Sequence, residues 1–389
     1  MSTVVLRQNV PWLQRVTLTI GIGIAGAALF EALKLPLPIM LGSMAAVAST
    51  AIAGVRLSFP PTVKTFLIGL LGIALGETFT PDLVDHAGVW SLSFAFVMVS
   101  NAAMAAVVVL ALRRWANYDR VTAYFAGMPG ALTQILVLAP EKGADMPTVS
   151  LSHGIRVLMM MLAIPAAAAG MSDHGPLAAV SSPLEPVSSE SVSWISVAFG
   201  AAVVVGLSIA GQWLGGRCRL PGPALLGPLC LAAGFGLAGV TLPPVPSAAI
   251  AAAQFAMGVA TGLTFVGADR LRLRRVSGVA LLVVCFMIGW CIAAAIALAR
   301  ALAWSLPVCL LLLAPGGLAE MGVVALAFGL EPDKVAAHQA LRTAAMVVLV
   351  PLVWELVAHY ARNAVRGAER RVTAVLEEDA VVAGEDAQP

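Results

Sequence analysis

Residues 128–135 read MPGALTQI and residues 314–321 read APGGLAEM, and each stretch sets a Pro-Gly pair inside a run otherwise apolar enough for a membrane helix. Proline lacks an amide proton and clashes with the preceding turn, while glycine lets the chain reverse, so each stretch predicts a broken helix at membrane depth. A half-helix beginning after such a break offers free amides to an anion, and unwound carbonyls suit a cation. Pro129, Gly130, Thr133 and Gln134 in the first stretch, and Pro315, Gly316, Gly317 and Glu320 in the second, are therefore candidate substrate-binding positions. Glu320 stands where the first stretch has Gln134. That carboxylate is either a coupling group for a proton or sodium, or a structural acid in salt bridge with Arg342.

Arg156 and Arg342 follow the two breaks at equivalent distances. Their planar donor forks suit a substrate carboxylate or phosphate, and they suit equally well the open carbonyls at the ends of the broken segments. His153 lies three residues before Arg156 and His338 four before Arg342, so each shares a helical face with its arginine. In register, however, His153 matches Gln339 and His338 matches Ser152. Satisfied interior histidines are the simpler reading.

The scaffold for these residues follows from composition. The chain is 60% hydrophobic and 11% charged over 389 residues, with a mean hydropathy of +0.92, which excludes a soluble globular class. Runs such as 90–112 and 279–299 reach the roughly 20 residues that a hydrocarbon core requires. A short basic N-terminus (Arg7, Arg15) without a small-residue cleavage site keeps the first apolar segment as a span. Strands of alternating polarity are absent, so the expected location is the inner (plasma) membrane, multi-pass. Five scattered cysteines (Cys218, Cys230, Cys285, Cys291, Cys309) have no metal-ligand spacing, and neither a metal nor a cofactor is expected.

Blocks recur about 186 residues apart. LPLPIMLG (35–42) returns as LPGPALLG (220–227), GIALGETF (72–79) as GVATGLTF (258–265), and HGIRVLMMMLAIP (153–165) as QALRTAAMVVLVP (339–351). The domain reading is a first membrane repeat over 1–170, a Pro/Ser-rich extramembrane linker over 171–190, a second repeat over 191–362 and a disordered cytoplasmic tail over 363–389. Each repeat holds six apolar segments: 12–33, 36–54, 61–79, 90–112, 120–139 and 147–168, then 194–214, 221–239, 246–265, 278–302, 306–328 and 333–357.

Charge decides between two topologies. If all twelve segments span, 12 Lys and Arg fall inside and 9 outside, with Arg156 and Arg342 in the membrane. If the broken segment of each repeat enters and returns, each repeat has five spans and the second is inverted. Only Lys34, Arg300 and Lys334 then face outside, and 18 of the 23 face inside. The preferred fold is an all-α polytopic membrane protein of two inverted repeats, each with five spans plus one broken or re-entrant segment.

Other polar groups have quieter readings. Ser100, Asn101 and Gln254 are expected to make interhelical hydrogen bonds, Glu31 beside Lys34 lies at an interface, and Trp12, Trp90, Trp115, Trp194, Trp213 and Tyr360 read as interfacial belts. GIGIAG (21–26) matches G-x-G-x-x-G but lies inside an apolar helix without a preceding strand. It is close-packing glycine, not a dinucleotide site.

The paired LPLPIMLG and LPGPALLG, with GMPGALTQI, APGGLAEM, RVLMMMLAIP and RTAAMVVLVP, resemble the membrane AbrB family over residues 15–358. Its members are described variously as transporters, as regulators of gene expression or as ammonia monooxygenases. The resemblance implies a duplicated membrane domain and marks Pro129, Gly130, Gln134, Arg156, Pro315, Gly316, Glu320 and Arg342 as characteristic. It also implies glutamine at position 153, where this chain carries His153.

A copper or iron monooxygenase needs clustered ligands, yet His86, His153, His174, His338 and His359 are far apart, so no enzyme is expected. No basic groove-reading helix is present, so direct nucleic-acid binding is not expected either. The function expected is secondary transport of a small molecule coupled to a proton or sodium. The alternative is a membrane sensor or regulator that affects gene expression indirectly. Partners are the small-molecule substrate, membrane lipid and the coupling ion, with a homo-oligomer left open.

Overall fold

Apolar surroundings leave backbone amides and carbonyls only each other to bond with, so each segment closes its own hydrogen bonds as a helix. The computed structural model describes residues 11–81, 87–130, 132–171 and 194–385, which form helices and connecting turns with no strand among them. The first half runs α1 (Trp12–Ala32), a π-turn (Pro38–Gly42) leading into α2 (Ser43–Ile52), α3 (Pro61–Gly76), α4 (Ala87–Trp115), α5 (Arg120–Gly127), α6 (Leu132–Glu141) and α7 (Met146–Met171). The second runs α8 (Trp194–Arg217), α9 (Pro223–Leu237), α10 (Ser247–Gly262), a 3-10 turn (Leu263–Phe265), α11 (Arg270–Leu302), α12 (Leu306–Leu313), α13 (Leu318–Phe328) and α14 (Pro332–Glu385). Elements beginning at Pro61 and Ser247, Arg120 and Leu306, Leu132 and Leu318, and Met146 and Pro332 all start 186 residues apart.

Among the described residues seven helices are long and apolar enough to cross a bilayer, and four shorter apolar helices accompany them. The chain is thus an all-α polytopic membrane protein. The chain divides into two compact units, Met1–Ala344 and Ala345–Pro389, and every contact described below lies within the first.

Packing there is set by glycines that admit backbone to close range. A methyl on Gly76 of α3 would sit 2.6 Å from the Leu229 carbonyl oxygen of α9, and one on Gly262 of α10 would sit 2.9 Å from the Met44 carbonyl oxygen of α2. Gly76 and Gly262 are register equivalents, as are Met44 and Leu229. Each half therefore receives the other half's third long element in its own second, a reciprocal contact of the kind a two-fold axis generates. Within each half, Gly26 meets Gly42 and Gly211 meets Gly227 so closely that neither pair has room for a side chain.

One difference from the sequence reading concerns the C-terminus. Residues 363–385, expected as a disordered tail, continue α14 as helix to Glu385. NAVRGAERRVTAVLEEDAVVAGE is rich in Ala, Glu and Arg and contains no proline, so nothing in it stops a helix already nucleated at Pro332. The linker over 172–190 and residues 386–389 lie outside the described residues.

Candidate functional site

The two breaks arise from the same local chemistry. α5 begins behind Asp119, whose Oδ1 accepts hydrogen bonds from the amides of Val121 and Thr122, both at 2.9 Å. Partial burial raises this carboxyl, but the bonds from Thr122 and the two amides outweigh it and hold it below its ordinary value. α5 ends because Pro129 forbids helical geometry at Met128, which is extended at φ −66° and ψ 129°. Gly130, at φ +78°, then turns the chain. In the second half Ala314 before Pro315 takes φ −57° and ψ 127°, and Gly317, extended at φ −75° and ψ 156°, starts α13.

Unwound backbone at this depth requires enclosure by protein, and both breaks have it. α5 is buried from Thr122 to Gly127 and α12 from Pro307 to Leu313. Pro129, Pro315 and Gly316 are buried as well. The uniformly apolar LPVCLLLL sequence of α12 follows from that position, because a helix apolar on every face has no side to present to water.

Each break is held from the second helix after it. His153 of α7 donates through Nε2 to the carbonyl of Phe125 at 2.9 Å. Gln339 of α14 donates through Nε2 to the carbonyl of Leu311 at 2.6 Å. One turn on, Arg342 donates from Nη1 to the Ala314 carbonyl at 2.6 Å and from Nη2 to the Gly316 carbonyl at 2.5 Å, spanning the break. Arg156 is held more loosely: Nη1 reaches the Ala126 carbonyl at 3.3 Å, and Nη2 bonds to Nδ1 of His153. The His153 tautomer follows from its partners, since Nε2 must carry the proton given to Phe125 and Nδ1 is left to accept from Arg156.

The salt bridge weighed between Glu320 and Arg342 does not form among the described residues. The Arg342 fork is already committed to two carbonyls, and Glu320 is used locally. It occupies the first turn of α13, and its carboxylate folds back over Gly317, where a methyl would come within 2.7 Å of its Cδ. A carboxylate there complements the positive end of the helix dipole and the unpaired amides of the first turn.

α7, which latches the first break, also packs against α12 and α13, and Met161 of α7 lies against Gly316. The structure therefore brings Arg156, Pro315, Gly316, Gly317, Glu320 and Arg342 into one neighbourhood of packed elements. Thr133 and Gln134 fall in the first turn of α6, and their side chains lie outside the described residues, so the juxtaposition of Gln134 with Glu320 does too.

Sequence reasoning expected satisfied interior histidines here but could not name their partners. His338 is a bonded interior histidine, between Ser93 Oγ at 2.6 Å and the Lys334 carbonyl at 2.9 Å, and the Lys334 ammonium stands 4.0 Å above the Trp304 ring. No spacing rule links Ser93 to a histidine 245 residues away. Of the midspan polar groups, Ser100 accepts an interhelical bond from Trp290 Nε1 at 3.0 Å, whereas Asn101 turns back to the Val97 carbonyl of its own helix.

Multiple apolar spans, reciprocal packing of two halves and two protein-enclosed helix breaks define a polytopic α-helical membrane protein with an internally paired site. The chain belongs to the AbrB family, described as "Transition state regulatory protein AbrB", whose model it matches over residues 39–358. It is similar to "Putative regulator AbrB" of Escherichia coli (strain K12), with 23% identity over 334 residues, 85% of this chain and 93% of that protein. It is also similar to "Uncharacterized protein YhjN" of Bacillus subtilis (strain 168), with 25% identity over 310 residues, 75% of this chain and 77% of that one. No solved structure matches the chain.

Proposed function

We propose that this protein is a secondary transporter of a small molecule in the inner membrane, coupled to a proton or sodium, with its substrate site between the paired breaks. The observation that carries the reading is the pair of enclosed breaks at 128–130 and 314–317, each latched by the second helix after it. Broken helices at matching positions of two repeats are the pattern by which such transporters expose backbone dipoles to substrate and ion. The reciprocal Gly76 and Gly262 contacts support a two-fold relation between halves, and the Lys and Arg distribution supports placing its axis in the membrane plane, which makes the repeats inverted. Glu320 is the coupling group in this reading, because it is the carboxylate at the second break and rests on dipole and amide contacts, with no ion-pair partner at salt-bridge distance among the described residues.

Reconstitution into proteoliposomes tests it. A panel of small carboxylates, amines and phosphonates is offered with and without proton and sodium gradients, comparing wild type with Glu320→Gln. Ion-driven accumulation that becomes gradient-independent in the variant is the expected result. Unaltered coupling in the variant removes Glu320 from the role.

A second reading has one observation behind it. The helical continuation of α14 to Glu385 is a structured element of the kind a membrane sensor needs for output, and the Escherichia coli relative bears the name of a regulator. In that reading the ligand binds at the same breaks, and any effect on gene expression passes through a partner of α14.

A further inference from the structure

The two latching helices, α7 and α14, are each fastened near their start to the opposite half of the protein. In the first half Asp145 stands directly before α7. Its amide donates to Thr122 Oγ1 of α5 at 2.9 Å, and its Oδ2 accepts from Thr148 Oγ1 at 2.6 Å. Arg272 of α11 donates from Nη1 to Oδ1 and Oδ2 of the same carboxylate, at 2.7 and 2.9 Å. Beside this tie Leu151 and Ile155 of α7 pack with Val276 and Ala280 of α11. In the second half Glu331 stands directly before α14 and pairs with Lys334. The fastening to the other half is made two helical turns further on, where His338 Nε2 and Ser93 Oγ of α4 share a hydrogen bond at 2.6 Å. The imidazole lies between Trp90 and Trp304, whose ring centroids are 5.8 and 6.3 Å from its own.

The two ties occupy matching places in the repeats. An offset of 186 residues carries Asp145 to Glu331, Thr148 to Lys334, Tyr118 to Trp304 and Ser152 to His338. The hydrogen bond between Tyr118 and Ser152 in the first half is thereby replaced by the ring contact between Trp304 and His338 in the second. α4 and α11 are equivalents as well, each covering the fourth apolar segment of its repeat. In the inverted arrangement Asp145 lies at the inner face with Lys142, and Lys334 lies at the outer face, so the ties close opposite ends of the region that holds the breaks. Their chemistry differs. The inner tie is an ion pair whose Arg272 and Asp145 side chains are 40% and 47% exposed, whereas Ser93 and His338 are buried.

We propose that the Asp145–Arg272 ion pair is the inner gate and the His338–Ser93 contact the outer gate of the site at the breaks, that both are closed in this structure, and that they open one at a time. Rocking of one half against the other separates α7 from α11 at one face while it presses α14 onto α4 at the opposite face, which makes the openings mutually exclusive. The inference rests on the transport reading for the passage of a substrate and for the faces at which the gates stand.

Thiol labelling of the full chain in nanodiscs tests it. Cys309 of α12 and Ala123 of α5 are register equivalents, and both are 0% exposed. Ala123 adjoins Thr122, which bonds Asp145, and Cys309 lies within reach of the charges of Lys334 and Glu331, so one position stands behind each gate. Cys218, Cys230, Cys285 and Cys291 are replaced by alanine in two parent proteins, one keeping Cys309 and the other carrying Cys309→Ala with Ala123→Cys. A water-soluble maleimide then reports how often each thiol is uncovered. Arg272→Glu is expected to speed labelling at position 123 by about threefold or more, and Ser93→Ala to do the same at Cys309, each without a rise at the other position. Arg272→Gln and His338→Phe stand in where a first variant does not fold. A rise at both positions from either substitution, as general loosening would give, overturns the gates, and so does a rise at neither. The expected pattern without flux from any member of the substrate panel refutes transport and leaves the gates standing, whereas flux with labelling indifferent to both substitutions refutes the gates and leaves transport standing.

Discussion

His153 and Gln339 do the same work with different chemistry. Each donates from Nε2 to the carbonyl at the equivalent position of a broken helix, His153 to Phe125 at 2.9 Å and Gln339 to Leu311 at 2.6 Å. The resemblance to the AbrB family implied glutamine at position 153, and the structure shows why histidine is accepted there. What the site needs is a donor reaching back to the last turn of α5, with an acceptor left over for Arg156.

It follows that His153→Gln is nearly neutral, whereas His153→Leu is not. Glutamine supplies both a donor for Phe125 and an acceptor for Arg156, so unfolding in mixed micelles should shift by less than about 1 kcal/mol. Leucine removes the bond to the Phe125 carbonyl and leaves a guanidinium nitrogen without its acceptor, at a cost of about 2 kcal/mol or more. Equal stability of the two variants contradicts the latch.

Arg342 spans the second break because its fork presents two nitrogens to two carbonyls at once. Removing it entirely is uninformative, since the lost bonds are offset by the loss of a buried charge. Arg342→Lys keeps that charge on a single ammonium and forfeits one charge-assisted bond, so a loss of about 1.5–3 kcal/mol is expected in the same unfolding assay. No loss would mean that spanning the break is not its role.

The glycine contacts make a steric prediction with an internal control. A methyl on Gly227 of α9 would lie 2.7 Å from the Gly211 carbonyl carbon of α8, with backbone on both sides and no flexible side chain to yield. Gly216, in the same helix as Gly211, has open space at the corresponding position. Gly227→Ala should therefore lose about 1–3 kcal/mol and Gly216→Ala should not, read by thermal unfolding of the detergent-solubilised protein. The reverse order would contradict the helix pairing.

Much of this architecture is legible in the sequence because membrane helices carry their own signal. The apolar segments at 12–33 and 61–79 became α1 and α3 with ends within a few residues, and the Pro-Gly pairs placed both breaks. The partners of Arg342 were not legible. They are main-chain carbonyls, which every residue carries, so no spacing rule distinguishes them from the carboxylate of Glu320 that the sequence offered as an ion-pair partner. Nor was the difference between Arg156 and Arg342 visible, since the repeat makes them equivalent and only their distances and the unpaired Nε separate them. The helix over 363–385 was missed for another reason. A charged, weakly apolar stretch reads as disorder by composition, yet its Ala, Glu and Arg residues are good helix formers and it follows, without a proline, a helix already begun.

The central claim is that the unwound backbone at the paired breaks is where a substrate engages during transport. Gly130 tests it most directly, because its φ of +78° suits glycine and is strained in alanine, so Gly130→Ala reshapes the first break with a single methyl and no charge. The measurement is substrate-evoked current from proteoliposomes on a solid-supported membrane, for wild type and Gly130→Ala reconstituted to equal density. The account predicts a current from wild type with at least one member of the panel of small carboxylates, amines and phosphonates, reduced at least tenfold in the variant. Wild type silent across the whole panel, or a variant carrying the full current, would contradict it.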